Sequence, residues 1–126
     1  MSDPVIIIPA RSKSKRLKNK NLLEINHISL IQRALNFALL IPSKLIIFSS
    51  DSLDYYKSLE NKTGVFFHQR STKSSGDNAK DFDVIYEIFN QKLIDEKDII
   101  LWIRPTSPIR DYRECISALE YFNQQN

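Results

Sequence analysis

The stretch Val5-Ile6-Ile7-Ile8-Pro9-Ala10-Arg11 places an uninterrupted β-branched run directly before a proline and the start of a basic segment. Such a run is typical of a strand that is buried on both faces of a parallel sheet. Leu45 to Phe48 and Ile99 to Ile103 have the same character, and Val65-Phe66-Phe67 is a weaker example that follows Gly64. The sequence therefore predicts four buried strands.

The segments between these runs carry apolar residues at helical spacing. The clearest pattern extends from Leu30 to Leu39, and Ser29 is its expected N-cap. Similar patterns cover Phe82 to Phe89 and Cys115 to Phe122, and Asp51 to Glu60 could supply a further short helix. Strands that alternate with helices predict a three-layer αβα architecture with a mostly parallel, Rossmann-like sheet. A chain of 126 residues suits a single domain, residues 1–126.

Composition excludes several classes of protein. Cys115 is the only cysteine, so an internal disulfide is excluded and a reducing, cytoplasmic location is expected. No apolar run approaches the roughly 20 residues of a membrane span, and the N-terminus lacks the features of a signal peptide. With only Gly64 and Gly76, the glycine-rich phosphate loops of Walker-type NTPases and dehydrogenases are absent. His27 and His68 lack spaced partners and are interpreted as structural or surface residues.

The positive charge of the chain is concentrated after the first strand. Lys and Arg number 18 and Asp and Glu 15, and six of the basic residues lie between Arg11 and Lys20 without any acid. Ligands of parallel sheets bind beyond the carboxyl ends of the strands, so this segment is placed to hold a triphosphate. A solvated basic turn, or a surface that binds RNA or an anionic membrane, would carry the same charge pattern.

The other post-strand segments also have unusual compositions. Arg104 to Arg110 contains two prolines that stiffen it, and it either presents side chains to a ligand or connects a strand to a helix capped by Ser107 or Asp111. Arg70 to Ala79 is polar, and Asp77 within it is the expected N-cap of the following helix.

Taken in order, these segments resemble the acylneuraminate cytidylyltransferases, which make CMP-sialic acid and related CMP-sugars. The matching residues are Pro9-Ala10-Arg11, Ser14-Lys15, Lys20-Asn21, Ser49-Ser50-Asp51, Arg70, Asp77-x-Ala79 and Pro105-Thr106-Ser107-Pro108-Ile109-Arg110. The resemblance covers nearly the whole chain and corresponds to the N-terminal part of the family. The sister family that activates the sugar acid Kdo shares the Pro-Ala-Arg motif but lacks the Pro-Thr-Ser-Pro-type loop, so it is the second choice.

The resemblance implies a nucleotide-diphospho-sugar transferase-like fold, truncated, and a partial cytidylyltransferase domain over residues 1–126. It implies transfer of CMP from CTP to a nonulosonic, sialic-acid-like sugar acid, with release of pyrophosphate. Mg²⁺ is the implied cofactor, and its usual ligand lies beyond the end of this chain, so the metal ligands are unknown. Asp51 and Asp77 are candidates on the ground that they follow strands. CTP and the sugar acid are the expected partners, without nucleic acid or membrane, and the chain is expected to form a homodimer or to associate through an uncovered sheet edge.

The resemblance also assigns individual residues. Catalytic roles fall on Arg11 and Lys20, nucleotide binding on Ala10, Arg11, Ser14, Lys15, Lys20, Asn21, Arg70, Asp77 and Ala79, and substrate binding on Arg104, Thr106 and Ser107.

The chain departs from the family pattern at several of these motifs. Ser12 and Lys13 stand where the family has two glycines, and Ser71 stands in place of a proline. Arg104 replaces a frequent glutamine, and Asp81 replaces a hydroxyl residue. The last two changes could alter the nucleotide or sugar-acid preference.

Three alternatives to this function remain at the level of sequence. The first is a non-catalytic nucleotide-binding remnant that retains the triphosphate loop. The second is a CMP-Kdo synthetase-like enzyme. The third is a small basic RNA-binding or anion-binding module, which would show a steep salt dependence and no preference for CTP.

Overall fold

The computed structural model describes residues 3–13, 19–107 and 111–125. Its main sheet has four parallel strands in the spatial order β5-β4-β1-β6. The strands are β1 (Val5–Pro9), β2 (Glu24–Ile25), β3 (Ile28–Ser29), β4 (Leu45–Ser50), β5 (Val65–Gln69) and β6 (Ile100–Trp102), with β2 and β3 forming a separate antiparallel hairpin. The four predicted strands and the mostly parallel α/β sheet are confirmed.

Helices cover both faces of the sheet. They are α1 (Leu30–Ala38), α2 (Leu53–Ser58), α3 (Thr72–Ser75), α4 (Asp81–Asn90) and α5 (Tyr112–Gln125), and a turn of 3-10 helix spans Lys20–Leu22. Because successive side chains of a strand point to opposite faces, β1 contributes to two cores. Ile6 and Ile8 pack in the cluster that contains α1, α2 and α5, while Val5 and Ile7 pack in the cluster that contains α4. The predicted three-layer architecture is therefore present.

Side-chain caps fix where three of the helices begin. The Ser29 hydroxyl accepts a hydrogen bond from the Gln32 amide at 3.2 Å, which confirms Ser29 as the N-cap of α1. Ser52 caps α2 through the Tyr55 amide in the same way. Before α5, the Asp111 carboxylate accepts from the amides of residues 113 and 114 at 2.8 and 3.2 Å. Of the two residues considered for that cap, Asp111 therefore supplies it.

The N-cap role expected for Asp77 is wrong. Helix α4 starts later, with Lys80 as its N-cap, and the Lys80 amide donates to the Asp83 carboxylate at 2.9 Å. Asp77 is thus too far from the helix to accept from its first amides, and its carboxylate lies beside Arg11 instead. The N-cap prediction for Asp77 failed because the sequence alone does not show at which residue α4 begins.

The two edges of the main sheet are the surfaces relevant to association with another chain. Strands β5 and β6 form the two edges of the sheet built by the described residues. Association through an uncovered edge follows from such geometry and stays a prediction.

Within the described ranges, no helix has both the length and the apolar character that crossing a membrane requires.

Candidate functional site

A cleft of about 210 Å³ opens at the carboxyl ends of the strands. The loops that follow β1, β5 and β6 meet there, as expected for parallel strands that end on one edge of a sheet. Basic side chains outnumber carboxylates in its lining, so the cleft suits an anionic ligand. The lining residues are Pro9, Arg11, Lys20, Asn21, Arg70, Asp77, Ala79, Lys80, Asp81, Trp102, Arg104, Pro105 and Thr106.

Most of the residues singled out in the sequence come together in this cleft. They are Arg11, Lys20, Asn21, Arg70, Asp77, Ala79, Arg104 and Thr106. Ala10 is fully buried in the core beside them, and Ser107 lines a separate groove between β6 and α5. Ser14 and Lys15 lie outside the described residues. The eight residues in the cleft meet because parallel strands end at one edge of the sheet. The role of each residue stays a prediction.

Arg11 joins the first loop to the segment that precedes α4. Its Nη1 donates to the carbonyl oxygens of Gly76 at 2.6 Å and Ser75 at 3.4 Å, and it lies 3.7 Å from the Asp77 carboxylate. One guanidinium nitrogen, Nη1, makes all three contacts, so the side chain is positioned before any ligand binds, which reduces the entropy lost on recognising an anion.

The two ends of the basic segment are fastened together. The Asn21 side-chain amide donates to the Arg11 carbonyl at 2.9 Å, and the Asn19 amide donates to the Ser12 carbonyl at 3.0 Å. The Tyr55 hydroxyl donates to the Asn19 side-chain oxygen at 2.8 Å. Burial, with Asp51 adding to it, raises the pKa of Tyr55, so this phenol remains a neutral donor at neutral pH.

Ser12, which stands in place of a glycine, is accommodated by Asp51. The Ser12 amide donates to one Asp51 carboxylate oxygen at 2.8 Å, and its hydroxyl donates to the other at 2.7 Å. A glycine would make only the first of these bonds. The substitution therefore adds an anchor between the loop after β1 and the end of β4.

Arg70 is held by the turn of helix that follows it. Its backbone amide donates to the Ser50 carbonyl at 2.8 Å, and its Nε and Nη2 both donate to the Ser74 carbonyl, Nε at 3.1 Å. Burial lowers the pKa of Arg70 from its very high ordinary value, and the nearby Asp51 opposes that shift. The group remains cationic at neutral pH.

A polar network lies under this turn of helix, and no pattern in the sequence indicates it. Glu87 of α4 accepts from the Ser74 hydroxyl at 2.9 Å, from the Ser71 amide at 3.3 Å and from the Ser71 hydroxyl. Its carboxylate also lies 3.2 Å from Nε2 of the buried His68, although that contact is not aligned as a hydrogen bond. His68 Nδ1 and the Ser49 hydroxyl are 2.8 Å apart. The network thus supports helix α3 and, through Ser74, the Arg70 guanidinium.

The titration of His68 predicts how stability changes with pH. Burial lowers the pKa of His68 below its ordinary 6.5, despite the neighbouring Glu87. The unfolded chain therefore takes up a proton first as pH falls, so the stability linked to His68 is present above pH 6.5 and is lost below it. We expect a decline in the free energy of unfolding between pH 7 and 5 whose slope is smaller in His68→Gln. Urea denaturation across that range measures it.

His27→Asn is the matched control for this titration. His27 is exposed in the β2–β3 turn and has a positive φ of 66°, which asparagine tolerates. An unchanged slope in His68→Gln, or an equal change in both variants, would contradict the assignment.

Arg104 and Asp81 form an ion pair across the cleft. Arg104 Nη2 donates to the Asp81 carboxylate, and both side chains are about half exposed, 51% and 50%. The guanidinium also lies over the Trp102 ring, 5.8 Å from its centroid. These are two of the positions at which the sequence departs from the resembled family. Nothing in the sequence around either residue indicates that the two contact each other, or that Trp102 and Lys80 line the cleft.

The described residues do not form a site for a resident metal. Residues 3–13, 19–107 and 111–125 contain no group of three His, Cys, Asp or Glu side chains that could hold an ion. Asp51 accepts two hydrogen bonds from Ser12, and Asp77 lies 3.7 Å from Arg11, so each candidate carboxylate already has a partner within the chain.

The chain is similar to known nucleotide-transfer proteins. A family model described as Cytidylyltransferase matches residues 5–126. N-acylneuraminate cytidylyltransferase of Streptococcus agalactiae serotype V is 28% identical over 98% of this chain and 30% of its own length. The protein of that name from Escherichia coli O18:K1:H7 is 30% identical over 94% of this chain and 28% of its own length. This chain therefore spans about 30% of the length of these relatives.

A solved structure has a similar fold. CMP:2-keto-3-deoxy-manno-octonic acid synthetase complexed with CTP superposes with a TM-score of 0.75 at 22% identity, covering 98% of this chain and 48% of that one. At this identity the likeness establishes the fold, which is that of the nucleotide-diphospho-sugar transferases.

Proposed function

This chain belongs to the cytidylyltransferase family, and from that premise we propose that its cleft binds CTP and transfers CMP to a sialic-acid-like sugar acid with release of pyrophosphate. The observation that supports this most directly is the meeting of Arg11, Lys20 and Arg70 at the carboxyl ends of the parallel strands. Residues 1–126 would act as one domain in this function, because α1, α2, α4 and α5 all pack on the four-stranded sheet.

Each wall of the cleft would hold a different part of the nucleotide. Arg11 and Lys20 would bind the triphosphate, with Ser14 and Lys15 of the same basic segment assisting. Asn21, Arg70, Asp77 and Ala79 would frame the ribose and the base, with the Ala10 backbone beside them. The reaction is attack of the sugar's anomeric hydroxyl on the α-phosphate, with pyrophosphate as the leaving group. Lys20 would neutralise the charge that develops on the phosphates.

The acceptor would lie toward β6. Arg104 and Thr106 line that part of the cleft, and Ser107 follows them. The relatives' names include N-acylneuraminate and, in a Helicobacter pylori protein 27% identical over 95% of this chain, pseudaminic acid. Both are sugar acids, so we propose a nonulosonic acid as the acceptor.

Mg²⁺ enters the proposal only as an ion that binds together with the nucleotide. Nucleotidyltransfer commonly uses a divalent ion to neutralise phosphate charge. The described residues contain no group of three metal-ligating side chains, and no step of the proposed reaction is assigned to Mg²⁺.

Calorimetric titration with CTP tests the proposal. We expect binding of CTP that is stronger than binding of ATP, and about a tenfold loss of CTP affinity in Lys20→Ala because one charged contact to phosphate is removed. Lys97→Ala, at an exposed position that does not line the cleft, is the control.

Each outcome of the titration separates the alternatives. Equal, strongly salt-dependent binding of CTP, ATP and RNA would support a general anion-binding module instead. Selective CTP binding without release of pyrophosphate, when sugar acid is added, would support a non-catalytic nucleotide-binding protein. No binding at millimolar CTP would overturn the proposal.

A further inference from the structure

We propose that Arg104 is the residue that binds the carboxylate of the sugar acid, and that Asp81 holds its place until the acid displaces it. This inference rests on the proposed function, because it assigns the acceptor end of the same cleft. It goes beyond that function by identifying a built-in competitor for the substrate. The observation behind it is that the cleft-lining Arg104 already binds a carboxylate.

The order of the strands separates Arg104 from the nucleotide-binding arginines. Arg70 follows β5, Arg11 lies just beyond β1, and Arg104 lies just beyond β6, in a sheet ordered β5-β4-β1-β6. Neighbouring strands lie about 4.8 Å apart, so the ends of β5 and β6 are about 14 Å apart, with Arg11 between them. A nucleotide that spans Arg70 and Arg11 leaves Arg104, one strand beyond Arg11, for the acceptor.

The chemistry of Arg104 fits a carboxylate. A guanidinium offers parallel N–H donors that match the two oxygens of a carboxylate, and Asp81 occupies such a donor here. The Trp102 ring beneath the guanidinium restrains its plane. The side chain is therefore oriented before substrate arrives.

Exchange of partners at Arg104 is inexpensive. Both members of the pair are about half exposed, and ion pairs in contact with solvent contribute little net free energy. A carboxylate from a ligand would restore the same charge-assisted bonds while Asp81 becomes hydrated. Asp81 thus competes with the substrate for Arg104, and its charge also acts on Arg70.

This competition predicts that affinity for the sugar acid rises when the Asp81 carboxylate is removed from the cleft. We expect Asp81→Asn to bind N-acetylneuraminic acid about threefold more tightly than the unaltered protein, because an exposed competitor for Arg104 has lost its charge. The methyl ester of the same sugar, which has no carboxylate charge, should bind both proteins equally. Arg104→Gln should weaken binding of the acid about tenfold and leave the ester unaffected.

Glu96→Gln is the matched control, since it removes the same charge from an exposed position in the turn before β6. Calorimetric titrations are run with each variant of the full chain, with and without CTP, and circular dichroism spectra check that the variants are folded. A gain in Glu96→Gln equal to that in Asp81→Asn would show a general charge effect and overturn the inference.

The remaining outcomes distinguish this inference from the proposed function. Tighter binding of CTP rather than of the sugar acid by Asp81→Asn would show that Asp81 opposes the nucleotide, through Arg104 or Arg70, and would overturn the inference. Failure of the unaltered protein to bind the acid while it binds CTP would also overturn it and leave the proposed CTP site intact. Failure to bind CTP would count against the proposed function, and the titrations without nucleotide would still decide the role of Arg104.

Discussion

Glu87→Ala is expected to lower the free energy of unfolding by about 3 kcal/mol, because hydrogen bonds to a charged acceptor contribute about 1.5 to 3 kcal/mol and the orphaned donors add a penalty. Glu87 accepts from the amide and the hydroxyl of Ser71 and from the hydroxyl of the buried Ser74. Burial favours the neutral form of Glu87, but these hydrogen bonds outweigh it and lower its pKa. The carboxylate is therefore charged at neutral pH and needs its donors. Equilibrium urea denaturation measures the change.

Two companion variants locate the cause of that loss. Glu87→Gln keeps an acceptor oxygen and should lose less stability, while Glu96→Ala removes an exposed glutamate and should change stability by less than about 0.5 kcal/mol. A loss of equal size in Glu87→Ala and Glu96→Ala would show that the network under α3 contributes nothing specific. CTP affinity should fall with Glu87→Ala as well, since Ser74 carries the carbonyl that holds Arg70.

Arg11→Leu is expected to reduce CTP affinity by about a hundredfold. The variant would lose a charge-assisted bidentate contact, and the cleft would lose a positive charge that attracts phosphate. Arg11 lines the cleft and also binds the carbonyls of Ser75 and Gly76. Its removal would take away the proposed phosphate ligand and release the segment that contains Asp77. Calorimetric titration with CTP gives the affinity, and denaturation gives the stability of the same variant.

Arg11→Lys separates the two contributions. Lysine keeps the charge but lacks the planar fork, so we expect an intermediate loss of about tenfold. Arg113→Leu, which removes an exposed arginine from α5, should bind CTP as the unaltered protein does. If Arg11→Leu lost stability but kept its CTP affinity, Arg11 would be a structural tie between two loops and not a nucleotide ligand.

The sequence predicted the elements whose cause is local. Val5 to Ile8 is a strand because it is apolar on both faces, and α1 begins at Ser29 because a hydroxyl there caps the first amides. The cleft could be placed as well, because parallel strands end on one edge and bring Arg11, Arg70 and Arg104 together.

What the sequence could not predict depends on contacts between distant segments. Helix α3 has only four residues, too few for any hydrophobic period, and it is stabilised by Glu87 from the next helix. The β2–β3 hairpin has two residues on each strand and so carries no alternation. The pairing of Asp81 with Arg104 joins positions that are 23 residues apart, and nothing in either local segment indicates the other.

The place of β1 between β4 and β6 has a consequence for the motions of the cleft. Arg11 extends from the centre of the sheet, whereas Arg70 and Arg104 extend from its two edges, and edge strands open more readily than central ones. β6 is also short, and among the described residues its three residues pair with β1 alone. Ligand affinity should therefore weaken at denaturant concentrations where amide protons of β1 still resist exchange with solvent. Binding at this cleft reports local opening of the sheet edges before the core unfolds.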